Sequence, residues 1–261
     1  MRPSGARSRP APALKAAALA FAAAMLLLQA CALLRAAPAP TSAFVPEPQL
    51  LSVDKRWSPY QAIWTLEREE YERVKQPQRS IYVAPVVTTT VLEQIEASRY
   101  APRIKLKLTD EAREVAHYMQ DRFRLALENY PEHPFRVVEE PEPDSVRVEL
   151  ALTELQPTNA AVNALAAVAG AVVPGAGLLR LAVRGSVAFE GVVRDAGGGR
   201  VLMAFKDRRT DKSAPFTLRD FQQYAHVRVS IDEWAEQYAE LSAKPIGEKI
   251  SGSIPFTLKP F

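Results

Sequence analysis

The stretch SVAFEGVVRDAGGGRVLMAF, residues 186–205, decides the fold of this 261-residue chain. On both sides of a run of three glycines, apolar residues recur at every second position: Val187, Phe189 and Val193, then Val201, Met203 and Phe205. Alternate side chains of a strand point to the same face, and glycine supplies the positive φ that a tight turn needs. The stretch therefore predicts a β-hairpin with one buried face.

Strand and helix patterns alternate on the N-terminal side of this hairpin. Residues 80–87 and 146–153 have the β-branched and alternating patterns of strands, and Pro85 predicts that the first strand ends there or lies near a sheet edge. Between them, Thr109 opens a predicted helix that runs to about Asn129, with apolar residues at helical spacing.

Two capping patterns add further helices. The sequence Ser230-Ile231-Asp232-Glu233 is a capping box, and the helix that it opens has an apolar stripe. A similar pattern at Ser58-Pro59-Tyr60-Gln61 predicts a helix more weakly, because the same aromatic residues also fit an irregular segment lying on the core. Helices interleaved with strands indicate an α/β or α+β class, a mixed sheet with amphipathic helices packed on one face.

The amino terminus has the pattern of an export signal. Residues 1–15 carry four cations and no acid, and residues 16–28 are uninterrupted apolar. A membrane-spanning helix needs about 20 apolar residues, so a retained anchor is the weaker interpretation.

The only cysteine of the chain follows this apolar run. Leu28-Gln29-Ala30-Cys31 resembles the lipobox of bacterial lipoproteins. The resemblance implies cleavage between Ala30 and Cys31 and a diacylglycerol on the Cys31 sulfur; the alternative is ordinary secretory cleavage near Ala32, with Cys31 incidental. The predicted organisation is a signal peptide over residues 1–30, a lipidated and Pro-rich tether over 31–50, and one domain over 51–261 with its core at about 79–243.

Cleavage changes the charge of the chain. The full sequence has 33 Lys and Arg against 30 Asp and Glu, a formal net charge of +3. Loss of the four cations of the signal leaves 29 basic residues against 30 acids, a net charge of −1. We therefore expect no nucleic-acid partner, since the bulk electrostatic attraction disappears with the signal.

Several short segments together resemble a group of bacterial lipoproteins whose shared domain has no assigned function. They are the lipobox, residues 82–86, the 146–153 strand, Gly191 to Asp195 with the following glycines, residues 202–209, and the Trp234-Ala235 helix. The resemblance implies a mixed α/β domain that Cys31 anchors to the outer membrane, facing the periplasm, and it carries over no catalytic residue. Ala32, where an Asp is absent, resembles the default signal for sorting to that membrane.

Sites for catalysis or metal binding are not apparent. The three histidines, His117, His133 and His226, are too scattered for a metal motif, no G-x-S-x-G elbow is present, and lipid is expected to occupy the one thiol. We predict no catalytic residue, no metal site and no cofactor. The acidic run 139–144 favours a solvated loop over a calcium site. Arg103, Lys105 and Lys107, alternating with apolar residues, favour the exposed side of an extended segment over a basic stripe for anionic lipid.

The sequence thus predicts a non-enzymatic, lipid-anchored envelope protein, whose partners are the membrane through Cys31 and an envelope protein. One alternative is an enzyme or ligand-binding protein with a pocket built from dispersed charges such as Asp195, Asp207 and Arg208. Another is a pore-associated oligomer that uses residues 159–179, a stretch without charge. Pro174 and the following glycines favour instead a short helix with a glycine loop there.

Overall fold

The predicted hairpin lies at the centre of a six-stranded mixed sheet in the computed structural model, which describes residues 39–53, 57–156, 185–195, 197, 199–210 and 224–250. These residues fall within one compact unit, residues 38–261. The elements in chain order are β1 Ala62–Thr65, α1 Arg68–Lys75, β2 Ser80–Val83, α2 Thr89–Ala97, α3 Pro102–Asn129, β3 Arg136–Val138, β4 Ser145–Gln156, β5 Ser186–Arg194, β6 Val201–Thr210 and α4 Ala225–Ala243. Within these ranges, no helix combines the length and apolar character needed to cross a membrane.

The strand order is β1-β6-β5-β4-β2-β3, and the fold is α+β. β2 pairs in parallel with β3 and β4, and the other pairs are antiparallel. The hairpin prediction is confirmed, with Gly199 at φ +67° in the turn. β2 ends at Val83, two residues before Pro85, as the proline predicted.

One face of the sheet packs against the helices. Its apolar residues come from alternate positions of every central strand, as the sequence pattern requires: Ile81, Val83, Val146, Val148, Leu150, Leu152, Val187, Phe189, Met203 and Phe205. α3 and α4 lie side by side and run in the same direction, since Tyr224 bonds Glu111 near their starts and His133, just past α3, bonds Ser242 near the end of α4. The predicted apolar stripes of both helices are buried in this core.

The second face of the sheet is partly covered by a segment from the predicted tether. Ser42 donates to the buried Glu190 carboxylate from its main-chain N (2.8 Å) and from Oγ (2.5 Å). Lys206 Nζ donates to the carbonyl of Ala39 (3.0 Å), and Val45 is buried in a small apolar cluster on this face.

The starts of both long helices differ from the sequence prediction. α3 begins at Pro102 and not at Thr109, so the alternating residues 103–108, taken for an extended segment, are its first two turns. Proline suits the first helical position, and Leu, Lys and Arg are good helix formers whatever their alternation suggests. α4 begins at Ala225, so the predicted capping box lies inside the helix and caps nothing. Its Glu233 instead accepts a bond from Arg209 (2.6 Å), and Asp232 accepts bonds from Tyr118 and Arg122 of α3.

The helix predicted within residues 51–78 does not begin at Ser58, and the only helix of that stretch among the described residues, apart from a 3-10 turn that ends at its edge, is α1 at Arg68–Lys75. Ser58 Oγ accepts a bond from the main-chain N of Tyr60 (3.1 Å), but the chain then forms β1, which pairs with β6. The Tyr60 ring stacks on Phe205, with centroids 4.7 Å apart. The conformation of this segment therefore follows from burial of its rings on the core, which is the alternative that the aromatic spacing left open.

We predict that Gly191→Ala destabilises the domain. A Cβ at this position would lie 2.3 Å from the Phe205 ring, which is itself fully buried, so the ring or the strand must shift. Overpacking of this kind costs about 1–3 kcal/mol of unfolding free energy, measured by urea titration.

The matched control is Gly197→Ala in the exposed hairpin turn, where nothing lies within 4 Å of the added Cβ. We expect its effect to stay within about 0.5 kcal/mol. Equal effects of the two substitutions would show that the Gly191–Phe205 contact is not a constraint.

Candidate functional site

A charged groove of about 590 Å³ lies between α1, the turn after it and the chain that enters β3. α1 supplies its charges because exposed positions of this short helix are almost all Glu, Arg or Lys. The residues that line the groove are Glu69, Glu72, Arg73, Lys75, Gln76, Gln78, Arg79, Pro134, Phe135 and Ala243.

Lys75 is the most enclosed cation of the groove. Its Nζ donates to the carbonyl of Ser242 at 2.8 Å and lies 5.4 Å from the Phe135 ring centroid. Burial lowers the pKa of Lys75, and the nearby Glu72 carboxylate opposes that effect. The groove therefore holds an ammonium that has already lost much of its water.

His133 and Ser242 meet behind the groove. Ser242 Oγ lies 2.8 Å from His133 Nε2 and 3.0 Å from the carbonyl of Ala239, and His133 Nδ1 lies 3.2 Å from the carbonyl of Phe135. Which atom donates between Ser242 and His133 follows from the tautomer of the ring. Burial lowers the pKa of His133, which favours the neutral ring; the Phe135 carbonyl opposes that shift and the Lys75 charge adds to it.

Two buried acceptors of the groove residues are unsatisfied. Glu72 Oε1 and Gln78 Oε1 have no hydrogen-bond partner among the described residues. Buried polar atoms of folded proteins are nearly always bonded, so such atoms need an explanation. Both atoms are closed to solvent, so donors from a bound partner reach them only when the neighbouring side chains move aside.

The three charged residues suggested by the sequence do not form one pocket. Asp195 accepts a bond from the main-chain N of Arg200 (2.9 Å) in the hairpin turn. Arg208 makes a two-pronged pair with Glu154 on the second face of the sheet, at 2.9 and 2.8 Å. Asp207 lies on the helical face, so the three residues have three separate environments.

Asp207 belongs to a buried network that joins β6 to α4. It accepts bonds from Trp234 Nε1 (2.6 Å) and from Arg209 Nε (3.1 Å). Arg209 also bonds Glu233 (2.6 Å) and Gln237 (2.8 Å). Burial raises the pKa of Asp207 and the Arg209 charge opposes it. Both side chains are over 90 % buried, so the network is enclosed within the fold.

The remaining predicted positions divide into described and undescribed ones. Ala30, Cys31 and residues 159–179 lie outside the described residues. In the part of the chain that the structure describes, no three His, Cys, Asp or Glu side chains form a group that could hold a metal ion. The sequence did not identify the groove, because its residues come from positions 69–79, 134–135 and 243 and share no motif.

Comparison with known proteins gives a family and a distant structural similarity. A family model described as a protein of unknown function, DUF3313, matches residues 70–238. A PelC dodecamer from Paraburkholderia phytofirmans is 12 % identical, with a TM-score of 0.34 over 64 % of this chain and 90 % of its own. A variant of that PelC, also a dodecamer, is 10 % identical, with a TM-score of 0.33 over 61 % and 86 %. No curated protein matches the chain.

We predict that His133 makes the stability of the domain depend on pH. Because burial lowers the pKa of His133, the unfolded chain binds more protons than the folded one between the lowered pKa and the ordinary value of about 6.5. The free energy of unfolding therefore falls as the pH drops from about 7 through this window. His133→Gln should flatten that dependence in urea titrations at several pH values.

The control is His117→Gln, which removes a histidine whose side chain is 75 % exposed on α3. The dependence should persist in that variant. A slope that His133→Gln leaves unchanged would contradict the buried, neutral ring.

Proposed function

Because the chain belongs to the DUF3313 family, which is described only as proteins of unknown function, we propose a function from its own residues. The protein is a lipid-anchored component of the bacterial cell envelope, and its domain binds a protein partner there without catalysing a reaction. It faces the periplasm from the outer membrane.

The anchor in this proposal is Cys31. The sequence Leu28-Gln29-Ala30-Cys31 has a branched apolar residue three positions before the cysteine and a small residue directly before it, after a charged and then an apolar segment. Two or three acyl chains, each methylene contributing about 0.8 kcal/mol, hold a folded domain stably at a bilayer. Ala32 after the cysteine supports sorting to the outer membrane.

The binding role rests on one observation, the two unsatisfied acceptors of groove residues Glu72 and Gln78. The groove is lined by charges of both signs, and its apolar lining residues are Pro134, Phe135 and Ala243. Such a surface suits a polar protein segment that brings N–H donors to the acceptors and carboxylates to Arg73 and Arg79.

We expect fatty-acid labelling to depend on Cys31. Cells that express the full chain and are fed a fatty acid with a detectable tag should label the wild-type protein and leave Cys31→Ala unlabelled. Gln29→Ala, which keeps the cysteine, is the matched control and should retain the label. Full labelling of Cys31→Ala would overturn the anchor.

We expect the groove to be the contact site in the cell. A photocrosslinking amino acid in place of Gln76, which is exposed and lines the groove, should give a discrete adduct with one envelope protein. The same amino acid at His117, exposed on α3, is the control and should not give that adduct. Glu72→Leu removes an acceptor and should weaken capture by about 1 kcal/mol, roughly five-fold.

The same adducts from both positions, or capture that Glu72→Leu leaves unchanged, would contradict the groove as the contact site. The labelling experiment tests the anchor independently of this result.

A further inference from the structure

Two segments at opposite ends of the domain differ in charge. At one end, α2 and the start of α3 bring together four cations and two acids over residues 93–107. At the other end, the loop 139–144, which leads back to the start of β4, contains four carboxylates and no cation. We call these the basic end and the acidic end.

Contacts with the sheet fix the position of the basic end. Gln94 Nε2 of α2 donates to the carbonyl of Thr153 (3.1 Å), close to the residue where β4 finishes. At the opposite end of the same strand, the Asp144 carboxylate accepts a bond from Ser80 Oγ (3.3 Å) and Arg136 pairs with Glu142 (2.6 Å). The charges are therefore separated along the whole length of β4, 12 residues or about 40 Å.

Part of the basic end is open to a partner. Arg99 and Arg103 are exposed and have no ion-pair partner among the described residues. Between the basic side chains of α3, Leu106 is 64 % exposed. Lys105 is held by Glu96 (3.5 Å) and Lys107 by Glu111 (3.5 Å), so two cations without ion pairs flank an exposed apolar side chain.

The N-terminal segment crosses the sheet from the direction of this end. Along the chain, Thr41 contacts Lys206, Ser42 contacts Glu190, and Val45 packs with Val192, two residues nearer the hairpin turn. The hairpin turn lies at the acidic end. Arg194, the last residue of β5 before the turn, is the strand partner of Arg147, which lies near the start of β4. From Ala39 to Val45 the segment therefore runs in the direction of the acidic end.

The distance to the proposed anchor is short. Cys31 precedes Ala39 by eight residues, which reach about 28 Å at full extension. Lys206 lies four residues from the end of β6, about 13 Å, so this reach extends past the basic end. A lipid on Cys31 would thus hold the domain close enough for its charged side chains to interact electrostatically with the bilayer surface.

We propose that the basic end, formed by Arg99, Arg103 and Leu106, rests on the surface of an anionic phospholipid bilayer and that the acidic end points away from it. This inference depends on the lipid anchor proposed above. Phosphate groups attract the two arginines within a Debye length, about 10 Å at 0.1 M salt. The loop 139–144 offers no such attraction, since it has no cation and its Glu139 and Glu142 are paired with Arg124 and Arg136. Leu106 then enters the headgroup region, where exposed apolar side chains are stabilised.

The test uses the lipidated full chain reconstituted into vesicles of phosphatidylcholine with phosphatidylglycerol. Since Cys31 carries lipid on its sulfur, Leu106→Cys and Gly197→Cys each introduce a single reactive thiol for an environment-sensitive fluorophore. Position 197 is the matched control, because it is exposed in the hairpin turn at the acidic end. We expect brominated lipid to quench the label at 106 at least two-fold more than the label at 197.

Charge reversal sharpens the result. Arg99→Glu with Arg103→Glu should remove at least half of the quenching at 106, as should added salt or vesicles of phosphatidylcholine alone. Three results would overturn the orientation: equal quenching at positions 106 and 197, stronger quenching at 197, or quenching at 106 that is unchanged by the two Arg→Glu substitutions. Co-flotation with the vesicles separates the two proposals. A protein that floats without this quenching pattern refutes only the orientation. A full chain that cells leave without lipid, and that therefore does not float, refutes the anchor and the orientation with it.

Discussion

The contact between the Phe205 ring and the bare Cα of Gly191 is the constraint to which the rest of the domain is fitted. Because residue 191 has no side chain, the ring lies close to the sheet, and other aromatic rings gather around it: Tyr60 at 4.7 Å, Tyr238 at 5.6 Å and Phe189 at 5.7 Å between centroids. These rings come from the chain just before β1, from α4 and from β5. One glycine on a central strand thus allows an edge strand and a helix to share a single aromatic cluster with the hairpin.

A polar network complements this cluster. Ring contacts tolerate small displacements, whereas the bonds from Arg209 to Asp207, Glu233 and Gln237 are directional and fix how α4 is rotated and shifted along the sheet. The position of the groove follows from that placement, because the far end of α4 brings the Ser242 carbonyl to Lys75. The buried network and the exposed site are therefore linked through one rigid helix.

The sequence was informative where periodicity controls structure. It predicted the hairpin, β4 and the buried stripes of α3 and α4, since burial on one face leaves a repeat that can be read directly. It misplaced both helix starts, because Pro102 and Tyr224 begin helices without a side-chain cap and the capping box at Ser230 lies inside α4. It predicted a helix where the chain forms β1, because the partner strand, β6, lies about 140 residues further along the chain and leaves no local pattern. The groove was missed for a similar reason: its residues are brought together only by tertiary packing, and an unsatisfied acceptor such as Glu72 Oε1 has no signature in sequence.

The segment that crosses the second face also determines how the domain bears mechanical load. A pull on the chain before residue 39 is transmitted first to the side-chain bonds of Thr41 and Ser42 with Lys206 and Glu190, which lie in the middle of β5 and β6. These side-chain bonds can break one after another while the main-chain hydrogen bonds between β5 and β6 stay intact. Tension on the N terminus therefore detaches the segment of residues 39–45 from the second face before it separates the strands of the sheet.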